Sequence, residues 1–600
     1  MYRKSFHALG GTVLLLSMVL SACRPAATPS AVAVATTEAV TRVPAATTRA
    51  PAATTPAPAT PTPAAAATTA VAAATTPAAG GAFTPMSVSA PDCNYGGELK
   101  TIQAIDPYTV KFSLCKPDPA FDSKAAFIAM AIQEKAYLDA NNGDSMKMSA
   151  KPNGTGPYMV QEWARGDHIT FVANPNYWRT PPKVKTLSLG WSDEAAQRLL
   201  QLQSGMADGM DNPDPQDFDT IKADTTLKLY PRQALNIFYI GFNNTLKPFD
   251  NEQVRQAFAM AIDRQRMVEQ FYPAGASVAQ QFVPPALGLG FTNGLNWYDF
   301  NQQQAKTMLI NAAFDFHQTL TLSYRNVTRS YLPSPDKVAT EIQAELKQIG
   351  VNVRLEQMES TPFIDAIAAG QKGFYLLGWG ADYPDPTDFY DAHFANPNNK
   401  QFGTPYQDLA TEIKAAGSIA DPAHRQQYYD QANQLIKQHV PLIPIAYGSS
   451  ATVFTANVHG AYASPLTNEL FSVMDNGSNQ LVFIQNGEPA ALWCSDETDG
   501  ETLRACDQIY DSLLSYKVGG VSVEPGLASS YEHNADLTEW TFHLRQGVKF
   551  TSGHVLDAND VVATYVAQWD AKSPNHKGRT NTFYYFGAFY GNMLNMPPAK

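Results

Sequence analysis

Apolar and polar positions alternate twice in close succession in ELKTIQAI (Glu98–Ile105) and YTVKFSL (Tyr108–Leu114). The two runs flank Asp106 and Pro107, a pattern that predicts a β-hairpin. Ala125–Ala140 reads as a helix. NGTGPY (Asn153–Tyr158) is a glycine-rich turn without phosphate-loop spacing and with no helix after it. His168–Ala173 predicts a strand. Ser192–Gly205 predicts a helix with Ala196, Leu199, Leu200 and Leu202 on its apolar face. Leu235–Phe242 is aliphatic and aromatic throughout and predicts a buried strand. Asp250 with Gln253 makes a capping-box-like start for a helix whose apolar face is Val254, Ala257, Phe258, Ala261 and Ile262. Further strands are expected at Leu320–Tyr324, Val351–Leu355, Phe374–Leu377 and Pro441–Tyr447. Helices are expected at Lys337–Ile349, stopped by Gly350, and at Asp421–Gln438. The last 120 or so residues repeat the mixture, with strands at Gln480–Ile484 and Glu539–Leu544, a helix at Glu501–Leu514, and a helix Val561–Trp569 capped from Asp557 and Asp560. Alternating strands and helices predict an α/β fold.

One loop stands apart from this periodicity. GWGADYPDPTDF (Gly378–Phe389) follows the apolar run Phe374–Leu377. Pro384 and Pro386 hold the backbone open, and loops at strand ends are where α/β proteins place ligand contacts. Asp382 lies between Trp379 and Tyr383, and a carboxylate framed by aromatic faces suits a ligand cation. The plainer alternative is an acidic turn in which Asp385 and Asp388 cap a helix.

Composition bounds the picture. Six hundred residues imply two to four domains. A net charge of −12 argues against nucleic acid and against a polybasic membrane patch. The 11 His and five Cys show no C-x-x-C or H-E-x-x-H spacing, so no metal site or cofactor is implied. Residues 1–23 read as a targeting segment, with Arg3 and Lys4 ahead of an apolar core at Ala8–Leu20. LSAC (Leu20–Cys23) resembles a bacterial lipobox. That resemblance implies cleavage before Cys23, a lipid on its sulfur, and a chain tethered to the outer face of the cell membrane. Residues 24–86, almost all Ala, Thr, Pro, Val and Ser, form an expected disordered linker with a coil reach of about 45 Å. Cys93, Cys115, Cys494 and Cys506 remain. In an exported chain they suggest two disulfides, and the local pairs Cys93–Cys115 and Cys494–Cys506 close the shortest loops.

EWTFHLRQGVKF (Glu539–Phe550) with DANDVV (Asp557–Val562) resembles the early signature of family 5 extracellular solute-binding proteins, the peptide-, dipeptide- and nickel-type receptors of ABC importers. NGTGPY with NPNYW (Asn174–Trp178) is similar to the family's next block. Phe249 and Asp250 with VRQA (Val254–Ala257) and AIDR (Ala261–Arg264) resemble the one after, and Gly378, Trp379 and Asp382 a late one. The blocks expected first stand last. The resemblance therefore implies a two-lobe periplasmic-binding-protein-like fold (type II) that is circularly permuted, with the usual termini fused near Asp475–Gln480. A tandem of two incomplete receptors is the alternative. Were the chain permuted, residues 480–600 would pack with residues 90–235 in one sheet system. The lobes implied are 87–236 plus 446–600, with a β-rich subdomain, and 237–445, with crossovers near Asn236–Asn243 and Pro444–Ser449.

The same resemblance implies a monomeric, lipid-anchored receptor that closes on a peptide or related solute and passes it to an ABC permease, with no bond broken. Asp382 would take the peptide ammonium, beside Gly380 and Tyr383, and Trp379 would line a side-chain pocket. Arg329 would take the ligand carboxylate, with a surface arginine near a turn as the alternative, and Trp493 is a candidate cleft aromatic, with core packing as the alternative. Three alternatives stay open: an exported hydrolase, for which no Gly-x-Ser-x-Gly motif appears; a receptor for oligosaccharides or nickel complexes; and a receptor that signals without feeding a transporter.

Overall fold

The computed structural model describes residues 83–395 and 399–596. The targeting segment, Cys23 and the linker up to residue 82 lie outside the described residues. Three sheets organise the described chain.

The first sheet is five-stranded and antiparallel, in the order Ser87–Ser89, Leu99–Asp106, Thr109–Leu114, Glu539–Leu544, Ala528–His533. The expected hairpin is its centre. Thr109–Leu114 pairs on its other edge with Glu539–Leu544, Phe112 facing Trp540. The second sheet has seven strands, in the order Tyr158–Ala164, His168–Ala173, Thr186–Trp191, Gln480–Gln485, Gly209–Asp211, Ser450–Thr455, Leu227–Arg232. Gln480–Gln485 sits at its centre, parallel to both Thr186–Trp191 and Gly209–Asp211. The described residues 480–596 therefore form no separate body. They share two sheets and one hydrophobic core with residues 90–235. Residues 83–86, grouped with the linker on composition, rest against that core, and Met86 N donates to Asn559 Oδ1 at 2.8 Å.

The third sheet has six strands, in the order Ser277–Val278, Leu442–Tyr447, Asn236–Phe242, Phe374–Gly380, Thr319–Arg325, Asn352–Met358, and its own core. Asn236–Phe242 is buried at every position, which explains its lack of alternation. The chain passes between the second and third sheets twice, between Arg232 and Asn236 and at Gly448–Ser449. One side chain ties these crossings together. Asn236 Nδ2 donates to Gly448 O at 2.8 Å, and Gly448 N donates to Asn236 Oδ1 at 2.7 Å. Residue 448 must be glycine, because a Cβ there would lie 2.2 Å from Ser330 O.

Several boundaries differ from the sequence reading. Ala125–Ala140 is not one helix: Phe121–Ala126 and Lys135–Asn141 are helical, and a buried 3-10 turn at Ile128–Met130 followed by a short extended stretch joins them. There Ile132 N donates to Asp511 O and Gln133 N to Thr564 Oγ1. Buried hydrogen bonds to distant elements outweigh local helical propensity. The helix expected at Glu501–Leu514 ends at Ile509, and Leu514–Tyr516 is a strand. The cap before Glu252–Ala261 is Asn251, not Asp250. The capping box from Asp557 and Asp560 is present. Both local disulfides form, Cys93–Cys115 and Cys494–Cys506.

Candidate functional site

A cavity of about 750 Å3 lies between the second and third sheets. Its floor is a closed ring of charges. Arg232 Nη2 reaches Asp211 at 3.0 Å and Glu469 at 2.7 Å, and Arg504 reaches the same two carboxylates at 2.6 and 2.9 Å. All four residues are buried. Burial alone would raise the Asp211 pKa, but Arg504 and Arg232 hold it down at about 2. Mutual neutralisation with good geometry makes such burial tolerable.

The wall belongs to the GWGADYPDPTDF loop. Phe374–Gly380 runs antiparallel to Asn236–Phe242, pairing Gly380 with Asn236, and Ala381 N donates to Leu235 O at 2.8 Å. This register sets Asp382 beside the point where the chain crosses between sheets. Gly378 allows Tyr331 to approach, since a Cβ would stand 2.3 Å from its ring. Asp385 caps the short helix Pro386–Tyr390 and takes a bidentate pair from Arg425, at 2.9 and 2.7 Å. Asp388 acts as a clasp, its Oδ2 accepting from Trp379 Nε1 at 3.2 Å and from Asp382 N at 3.0 Å. Asp385 thus caps as expected, whereas Asp388 orients the two residues that line the cavity.

Asp382 itself is under-satisfied. Its Oδ1 accepts from Tyr585 O–H at 3.1 Å, while Oδ2 is buried with no hydrogen-bond partner. Among the described residues no cation lies within ion-pair distance of Asp382 or Asp388. Burial pushes the Asp382 carboxyl up to about 7, with the Tyr585 hydroxyl opposing, and burial together with Asp382 raises Asp388 well above the carboxylate range. A buried carboxylate oxygen left open toward a cavity costs folding energy, and a ligand donor would supply the missing partner.

The other expected residues divide. Trp379, Gly380, Asp382 and Arg329 line the cavity. Tyr383 does not. It is 3% exposed and its ring inserts into the core beneath the first two sheets, 4.8 Å edge-on from Phe589. Trp493 is also a core residue, 1% exposed and 5.5 Å from the Phe583 ring. Burial of an aromatic in a close-packed core leaves no face for a ligand. Arg329 Nη1 stands 4.0 Å from Glu501 Oε1, so a carboxylate of the protein itself faces it across the cavity.

Three lining residues were not singled out from the sequence. Tyr585 lies in the aromatic stretch FYYFGAFY, which reads as core. Its position depends on Asp496, whose carboxylate accepts from Thr580 and from the backbone of Asn581 and Phe583, and on the bidentate Glu497–Arg579 pair. Glu501 reads as an ordinary first-turn acid. His393 closes the lobe wall 4.8 Å edge-on from Trp379, and burial lowers its pKa to about 4, so its ring is neutral. No local pattern marks any of the three.

Among the described residues no group of three or more His, Cys, Asp or Glu is arranged to hold a metal, and no helix is long and apolar enough to cross a membrane. Residues 57–401 and 522–586 match the family model described as bacterial extracellular solute-binding proteins, family 5 Middle. The dipeptide-binding protein of Pseudomonas aeruginosa is 29% identical over 391 residues, covering 63% of this chain and 72% of that protein. The structure of HbpA2 from Haemophilus parasuis superposes with a TM-score of 0.53 at 28% identity, covering 63% of this chain and 75% of the other. A dipeptide binding protein from Pseudoalteromonas in complex with Met-Leu gives 0.53 at 26%, covering 61% and 74%.

Proposed function

This chain belongs to the bacterial extracellular solute-binding proteins of family 5, and from that premise we propose that it is the peptide-capturing receptor of an ABC importer. The family is one of binding proteins, which sets aside the hydrolase alternative. The observation that carries the peptide reading is Asp382 Oδ2, buried and unpartnered in a cavity between two sheet bodies. A peptide ammonium supplies the cation and the donors that this oxygen lacks. Trp379, held by Asp388, forms the adjoining apolar wall with Leu377 and Ile367. Arg329 is the anion partner for the other end of the ligand.

Capture proceeds by closure about the two crossings. Asp382 and Arg329 come from the six-stranded body, and Tyr585 and Glu501 from the other. Contacts between these pairs exist only when the bodies are together, so closure and ligand ordering are coupled. The chain is anchored through lipidated Cys23, acts as a monomer, and presents its closed form to a permease. A permuted order of the family fold is supported by the central place of Gln480–Gln485 in the seven-stranded sheet and by a family match split into two segments.

The test is direct. Mass spectrometry of ligand released from protein purified without denaturation is expected to identify short peptides. Calorimetry with a matching peptide is expected to lose at least about 100-fold in affinity in Asp382→Asn, the scale of one broken buried ion pair. A released oligosaccharide or metal complex, or unchanged peptide affinity in Asp382→Asn, overturns the reading.

A further inference from the structure

Five arginines line the cavity, and three are already spent on the protein's own acids. Arg232 and Arg504 are closed within the ring of Asp211 and Glu469, and Arg579 is bidentate with Glu497 at 2.9 and 2.7 Å. Arg325 and Arg329 remain. Arg325 donates only to the neutral hydroxyls of Ser360 and Tyr331, and Arg329 has Glu501 at 4.0 Å. Among the described residues the lining carboxylates Asp365, Asp382 and Asp499 have no ion-pair partner, and Glu501 has only Arg329 at 4.0 Å. With Asp382 reserved for the ligand ammonium and Arg329 for its carboxylate, Asp365, Asp499 and Glu501 remain against Arg325, an excess of acid.

The excess is not spread evenly. Both remaining arginines sit on one body, at the end of strand Thr319–Arg325 and in the turn after it. Asp499 and Glu501 sit together on the opposite body, at the start of helix Gly500–Ile509. The Glu501 carboxylate is 13% exposed and makes no hydrogen bond among the described residues. Asp499 is occupied in capping, through Thr502 N at 2.8 Å, and burial with Glu501 beside it raises its pKa to about 6. Two adjacent acids of which one tends to keep its proton are relieved by a cation placed between them. A ligand carboxylate at Arg329 also displaces Glu501 from its nearest positive partner.

Building on the peptide reading above, we propose that the site selects peptides bearing a basic side chain, with Glu501 the specificity-determining residue that receives it. The α-ammonium goes to Asp382, the carboxylate to Arg329, and the second cation to Glu501 with Asp499. Opposite charges arranged in this way reject a like-charged ligand as well as favour the matched one.

The experiment is calorimetry on the intact wild-type protein with Ala-Lys, Ala-Ala and Ala-Glu at low and high salt. Ala-Lys is expected to bind about fivefold more tightly than Ala-Ala, the scale of a partly exposed ion pair, with Ala-Glu weakest and the spread shrinking in salt. In Glu501→Gln the ratio of Ala-Lys to Ala-Ala is expected to fall toward one. Equal or reversed order in the wild type overturns the proposal whether or not the variant folds, as does an unchanged ratio in a folded Glu501→Gln. Failure of all three peptides to bind instead removes the peptide reading on which it rests.

Discussion

At the scale of single residues, Asp382 is a group whose charge the fold tolerates poorly and a cationic ligand would repair. Its carboxyl is pushed up to about 7 by burial, so in the unliganded protein it keeps its proton where the unfolded chain has already lost it. Its effect on folding is therefore most favourable below the unfolded value near 3.8 and is lost as pH rises toward about 7. Ligand binding has the opposite sign, because an ammonium needs the ionised form. Peptide affinity is expected to be greatest above pH 7 and to fall by about tenfold per unit well below it, measured by calorimetry across pH 5 to 8. Tyr585→Phe removes the one protein donor that favours ionisation, so the midpoint of that profile is expected to move upward. An unchanged midpoint means that the Tyr585 hydroxyl does not act on Asp382. Of this site, Trp379 and Asp382 were legible in the sequence because a motif places them in one loop. Tyr585 was not, because 203 residues separate it from its partner.

Among the elements, the strands carry position and the loops carry chemistry. Asn236–Phe242 pairs with Phe374–Gly380 on one side and Leu442–Tyr447 on the other. One strand thus fixes both crossings and the root of the Asp382 loop. Its periodicity announces only a fully buried strand. The Asn236 side chain then bonds both polar groups of Gly448. Asn236→Ala leaves a buried N–H and C=O without partners and is expected to cost about 2 kcal/mol in urea unfolding, read at constant slope. A loss below a few tenths of a kcal/mol would mean that water or a backbone shift replaces both bonds. The broken helix around Phe127 teaches the converse. Alanine-rich, apolar Ala125–Ala140 satisfies every local rule for a helix, yet after a 3-10 turn at Ile128–Met130 its Ile132 and Gln133 are held extended by partners at Asp511 and Thr564. Hydrogen bonds to residues more than 350 positions away leave no trace in a window of 16.

For the molecule as a whole, the proposed permuted order of blocks makes a prediction about where the chain can be reopened. The loop Asp475–Asn479, where the family's ends would be fused, is a surface turn in which Gly477 adopts φ 74° and a Cβ would meet nothing within 4 Å. A chain reopened at Gly477, with Met596 joined to Phe83 by a flexible Gly/Ser linker, is expected to fold and to bind the same peptides, since every sheet contact is retained. Thermal unfolding and peptide calorimetry on that protein check this. An insoluble or non-binding product would mean that the present order is required for the fold. Opposite charges also come from different sheets: Arg329, beside the six-stranded sheet, faces Glu501, on the helix Gly500–Ile509, at 4.0 Å across the cavity.

What the sequence determined alone is what short-range chemistry encodes: alternation for the hairpins, 3.6-residue spacing for most helices, and caps such as Asp385 and Asp557. It also determined the motif-bearing loop that carries Asp382. The two local disulfides belong here too, since each closes a short loop. Tertiary structure decided which aromatic side chains face the cavity, sending Tyr383 and Trp493 into the core and Tyr585 to Asp382. It also decided that Arg329 meets a carboxylate from across the cavity rather than open space. The physical reason is that burial and ion pairing are set by elements hundreds of residues apart, whereas the periodicity of a chain records only which face of each element is buried.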